Sequence, residues 1–174
     1  FSVEGVQKSG ARFDYEKAKS VNHEYLSKAD AGTLLVMQKA QEVLNDFEEE
    51  KQLQIINLFK ERLYTINDLE EEIAFLRNPH PYDEKSVAKI QNKNPLMVLR
   101  QIALLLENQK EGETIKNDLF QWAKDNDVPL GLVMQSFRLS LVGKLTGPDL
   151  FEICTLLGKN VSLKRVQNFI QYLS

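Results

Sequence analysis

Apolar residues recur at helical intervals along almost the whole chain. Leu34, Leu35, Met37, Val43, Leu44 and Phe47 fall mostly three, four or seven apart with charged residues between them, the spacing that keeps one face of an α-helix apolar. Ile55, Ile56, Phe59 and Leu63 repeat it, as do Ile66, Leu69, Ile73 and Leu76. Asn67 reads as an N-cap for the latter, with Glu70 as its capping-box partner. Asn78-Pro79-His80-Pro81 is the strongest break in the sequence, because proline cannot continue a helix and biases the residue before it toward extended geometry. After it, Asn94-Pro95 supplies a cap and a first helical position for a helix over 96–107. Glu111-Gly112 separates that helix from one over 115–124. Pro129 opens another that stops at Gly143, Gly147-Pro148 opens one that stops at Gly158, and Ser162 caps a last one ending near Leu173. The pattern predicts an all-α fold of two consecutive small helical bundles, over residues 1–80 and 81–174.

Composition narrows this picture without redirecting it. With 174 residues, 43% of them hydrophobic and 27% charged, the chain has the makings of a buried core and is neither disordered nor collagen-like. Only 8 glycines and 5 prolines weaken an all-β reading. A lone cysteine, Cys154, excludes an intramolecular disulfide framework and a cysteine-rich zinc site. No apolar stretch approaches the roughly 18–20 residues of a membrane span; the most apolar, 96–106, is broken by Arg100 and Gln101. The opening residues lack a signal-peptide pattern, so a cytoplasmic location is expected. The start at Phe1 without methionine reads as a piece of a longer protein.

The net charge of −3 conceals an asymmetry. Residues 128–174 hold Arg138, Lys144, Lys159, Lys164 and Arg165 against Asp149 and Glu152, a net of +3 that leaves −6 on the first 127. A polyanion is expected at the positive end. The acidic runs Glu48-Glu49-Glu50 and Glu70-Glu71-Glu72 read as solvated helix faces.

Catalytic chemistry finds no footing. His23 and His80 are the only histidines, and neither stands at metal-ligand spacing from a cysteine or a second histidine. Cys154 sits among Phe151, Ile153 and Leu157 and reads as a buried structural thiol. Phe120 and Trp122 read as core. No dinucleotide, phosphate-loop or nucleophile-elbow motif occurs, so the chain by itself is not expected to be a catalyst.

Three segments carry a resemblance. Residues 131–173, GLVMQSFRLSLVGKLTGPDLFEICTLLGKNVSLKRVQNFIQYL, resemble the end of bacterial glutamyl-tRNA synthetases. Gln135, Arg138, Leu141, Gly143, Pro148, Leu150, Phe151, Glu152, Leu157, Gly158, Lys159, Leu163 and Arg165 fit that family's pattern. Residues 1–26 (FSVEGVQKSGARFDYEKAKSVNHEYL) and 59–71 (FKERLYTINDLEE) are similar to its F-x-x-E-x-V-x-K-S-x-A-x-F-D and R-x-x-T-L-x-D-L stretches, in the family's order. The chain departs from the pattern at Ala18, Ser20, Ser136 and Val142.

The resemblance implies a class I synthetase anticodon-binding fold and a fragment lying behind a catalytic domain with HIGH-like and KMSKS-like motifs, neither of which occurs here. The parent would join glutamate to its tRNA through a glutamyl-adenylate, using ATP and magnesium; the fragment itself would need no cofactor. Its partners would be the tRNA anticodon loop and the parent's own N-terminal catalytic domain, with no membrane. Carried over by position, Arg62 and Arg138 are anticodon-contacting arginines, and Gly147 and Leu150 further contacts. Lys144, Lys159, Lys164 and Arg165 are candidate phosphate contacts. The plainer alternatives are a surface arginine at Arg138, an ion pair of Arg62 with Asp68 or Glu70, and, for the whole chain, a helical protein-interaction scaffold.

Overall fold

A computed structural model describes residues 14–79, 81–109 and 114–174 and contains no strand among them. Five helices come first: α1 (Tyr15–Lys28), α2 (Ala31–Leu35), α3 (Gln38–Leu44), α4 (Glu49–Phe59) and α5 (Asp68–Arg77), with a 3-10 turn, Lys60–Arg62, running on from α4. Then come α6 (Glu84–Gln91), α7 (Pro95–Asn108), α8 (Lys116–Asp125), α9 (Leu130–Val142), α10 (Leu150–Leu157) and α11 (Lys159–Leu173).

Aspartates start four of these helices. The carboxylates of Asp14, Asp30, Asp83 and Asp149 accept hydrogen bonds of 2.8–3.3 Å from backbone N–H groups in the first turns of α1, α2, α6 and α10. Those N–H groups have no carbonyl partner within the helix, and the negative charge also suits the positive end of the helix dipole. At the other end of α9, Gly143 adopts φ 87°, a left-handed conformation that side-chain-bearing residues avoid.

The apolar faces meet in one continuous core. In the first half, Leu34, Leu44, Ile55, Phe59, Leu63, Leu69 and Ile73 are fully buried, with α4 packed against α2, α5 and the 3-10 turn. In the second half α9 is the centre. Its Val133, Phe137, Leu139, Leu141 and Val142 are all fully buried, and α6, α7, α8, α10 and α11 surround it. The halves meet where α4 packs on α10. They are also tied through Arg165, which is 5% exposed and donates to Leu141 O at 2.6 Å and to Leu76 O at 3.1 Å.

Several boundary devices differ from the sequence expectation. Asn67 precedes α5, but its own backbone is helical and its side chain caps nothing. Instead the Asp68 carboxylate accepts from Tyr64 N–H (2.9 Å), Thr65 N–H (2.8 Å) and the Thr65 hydroxyl (3.0 Å). Glu70 reaches away to Lys39, at 2.7 Å. Asn94 adopts φ 57° ahead of Pro95 and makes no side-chain cap. Asp149, not Pro148, caps α10. Ser162 lies buried within α11, its hydroxyl donating to Cys154 O at 3.3 Å, because that helix begins earlier, after Gly158. The apolar stretch from Leu34 to Phe47 divides into α2 and α3.

Cys154 is buried, and burial raises its thiol pKa. Phe120 and Trp122 are half-buried against the core. His80, Glu111-Gly112 and residues 1–13 lie outside the described residues.

Candidate nucleic-acid interface

Arg62 closes the 3-10 turn, and the chain then becomes extended at Leu63, whose side chain is fully buried. The next residues are held from two directions. Asp68 ties the N–H groups of Tyr64 and Thr65 from the start of α5. From α1, the Asn22 amide donates to Tyr64 O, His23 Nδ1 lies 2.9 Å from Leu63 O, and the His23 ring stacks on Tyr64 with centroids 4.8 Å apart. Lys19 Nζ sits 4.9 Å from the same ring centroid. The Arg62 side chain is then fixed at its Nε, which donates to Glu72 Oε2 at 2.9 Å. Its partner is therefore neither Asp68 nor Glu70, both of which are engaged elsewhere.

Arg138 projects from α9 between the fully buried Phe137 and Leu139. Its Nη2 donates to Pro148 O at 2.9 Å. Its Nη1 is shielded from solvent yet has no hydrogen-bond partner. Gly147 makes this close approach possible: its φ is 145°, and a Cβ there would lie 3.0 Å from Arg138 Nη1. Burial pushes the guanidinium pKa down, the Asp149 carboxylate opposes that, and the Arg62 charge adds to it.

The other candidates divide. Leu150 is fully buried, so its side chain belongs to the core and is closed to RNA. Lys144 is half-buried just beyond α9, and Lys164 is exposed on α11. Lys159 Nζ donates to Glu107 O (2.8 Å) and Gln109 O (3.0 Å), closing the carboxyl end of α7. Arg165 is not available to a phosphate: it is buried, and its donors serve Leu141 O and Leu76 O.

Sequence reasoning missed Glu72, absorbed into an acidic run, and Asp149, although Asp149 followed three residues later by Glu152 is an N-terminal signature. Two fixed guanidiniums offer planar fans of donors that suit base acceptor edges and phosphate oxygens. Tyr64, 47% exposed and two residues from Arg62, is an aromatic of the kind on which bases stack, although His23 already stacks on its ring and Lys19 lies over it. Among the described residues, no group of three or more His, Cys, Asp or Glu could hold a metal ion, and no helix is long and apolar enough to cross a membrane.

Comparison with known proteins shows the family and the fold. The family model described as an anticodon binding domain matches residues 15–170. A glutamate–tRNA ligase of Porphyromonas gingivalis strain W83 is 33% identical over 181 residues, covering 99% of this chain and 35% of the relative. One from Flavobacterium johnsoniae is 33% identical over 183 residues, with the same coverage. The crystal structure of a glutamate tRNA ligase from Elizabethkingia meningosepticum, in complex with its amino acid, superposes with a TM-score of 0.88 at 30% identity. That match covers 100% of this chain and 36% of the other. The glutamate–tRNA synthetase of Elizabethkingia anophelis gives a TM-score of 0.83 at 30% identity, over 98% and 34%. The chain spans about a third of the length of the curated relatives it matches.

Proposed function

The chain belongs to the anticodon binding domain family, and from that premise we propose that it reads the anticodon loop of a tRNA as the recognition part of a glutamate–tRNA ligase. The observation that carries this reading is Arg138, whose guanidinium lies against Gly147 and Pro148 with an Nη1 that no protein atom satisfies. A shielded donor without a partner is costly, and an oxygen of an incoming RNA would satisfy it once the turn at Gly147 and Pro148 moved aside to admit it.

Recognition would proceed by splaying the loop's bases out and reading their edges. Arg138 donates from beside Gly147 and Pro148, and the Leu150 backbone lies just beyond. Arg62 donates from the first half, where its N–H groups suit the acceptors of cytosine, the last base of a glutamate anticodon. Tyr64 offers a stacking surface, while Lys144, Lys159 and Lys164 add positive charge for phosphates. The bundles over 1–80 and 81–174 would act as two subdomains, each contributing one arginine.

The catalytic partner domain, in the cytoplasm, would form glutamyl-adenylate with ATP and magnesium. No step of that chemistry is routed through the residues described here, which hold and discriminate the tRNA.

Gel-shift titration with glutamate tRNA, and with the same tRNA carrying an altered anticodon, tests the proposal. Tighter binding of the unaltered tRNA is expected. Equal binding of both would reduce the interface to a phosphate-binding surface, and no binding of either would favour a protein-interaction scaffold.

A further inference from the structure

Arg62 is held at both ends by one helix. Asp68, at the start of α5, fixes the backbone just after it, and Glu72, one turn further along the same helix, holds its Nε at 2.9 Å. The helix itself is anchored by Leu69 and Ile73, both fully buried. The Glu72 side chain is 26% exposed and that of Arg62 35%, so the pair is neither sealed in the core nor loose in solvent. Without this restraint Arg62 would be a long, flexible cation able to meet any phosphate in many poses.

We infer that Glu72 is a positioning residue for anticodon reading: its carboxylate orders the Arg62 guanidinium and disfavours phosphates that approach without the right base. This inference rests on the proposed tRNA reading. Only Nε is used in the ion pair, so the Nη donors are left in a plane already set before RNA arrives, and less ordering remains to be done on binding. The Glu72 charge also offsets the charge of the Arg62 it holds. A carboxylate beside an RNA site repels backbone phosphates, so it lowers non-specific affinity while the oriented donors preserve specific affinity. Selectivity is then gained partly by a repulsive element.

The test uses this chain and anticodon stem–loop RNAs that carry either the glutamate anticodon or the same loop with its last base changed from cytosine to uracil. The wild type should prefer the first, and Arg62→Ala should shrink that preference. Glu72→Ala should shrink it by roughly three- to tenfold, mainly by tightening the altered loop, with the far-ultraviolet circular dichroism of the wild type retained. Glu72→Gln, which keeps an acceptor oxygen, should retain more of the preference than Glu72→Ala. In the Arg62→Ala background, Glu72→Ala should change the preference no further, since Glu72 acts through Arg62. An undiminished preference in Glu72→Ala, beside a wild type that discriminates, overturns the inference alone. A wild type that does not discriminate overturns the reading beneath it as well.

Discussion

Arg138 can lie where it does because Gly147 has no side chain. Its Nη1 occupies space that a Cβ at position 147 would contest at 3.0 Å, and φ 145° is itself unfavourable for any other residue. Gly147→Ala should therefore lower stability by about 1–3 kcal/mol and displace the arginine. Thermal unfolding reads the first effect, and a reduced preference for the glutamate anticodon reads the second. A stable variant with full preference would show that the contact does not matter. The position of this arginine could be read from the sequence, but its surroundings could not. Pro148 O as its acceptor depends on a loop ten residues away folding back onto α9. Arg62 shows the same limit: acidic residues at several nearby positions were plausible partners, and only the packing of α5 selects Glu72. Arg165 shows it most strongly, since nothing local distinguishes a buried arginine bound to carbonyls from one waiting for phosphate.

At the scale of elements, spacing located most of the helices, though not α1, α6 or the break between α2 and α3, and turn chemistry placed their ends less well. The period of apolar residues is set by burial, which a sequence displays directly. A cap depends on which of several nearby polar side chains reaches the free N–H groups. Asp149 caps α10 in this way, whereas the expected cap of α5 at Asn67 does not form and Asp68 instead ties the turn before that helix. Asp149→Ala should cost about 1 kcal/mol by denaturant unfolding, while RNA affinity holds or rises because a carboxylate beside Arg138 is gone. Asp68 gives a pH signature. Burial pushes its pKa up, but the hydrogen bonds from Thr65 and Tyr64 outweigh that and hold it below the ordinary value. A depressed folded pKa means stability present above the unfolded pKa and lost as pH falls through the folded one. Unfolding free energy should thus decline as pH drops below about 4, and Asp68→Asn should reduce that decline. An unchanged acid limb in the variant would place the sensitivity elsewhere.

Over the whole molecule, the proposed reading needs the two helical groups to hold Arg62 and Arg138 in a fixed relation. The α4–α10 packing and the Arg165 tie between Leu76 O and Leu141 O hold that arrangement. Arg165→Met should leave both carbonyls without their donor, at about 1–3 kcal/mol each. It should also weaken anticodon preference, although the residue touches no RNA. Urea unfolding and the affinity ratio check the two halves of that statement. Charge acts at the same scale: affinity should fall with salt at a slope of about −0.7 per phosphate neutralised on a single strand.

The central claim is that Arg138 reads bases rather than merely attracting phosphate, and the most direct test is the affinity ratio between the glutamate anticodon stem–loop and a scrambled loop for wild type and Arg138→Ala. The ratio should stand above one in the wild type and fall by roughly 5- to 150-fold, or to unity if it starts smaller, the span expected for a good base contact of about 1–3 kcal/mol. Equal weakening toward both RNAs, with the ratio unchanged, would contradict it.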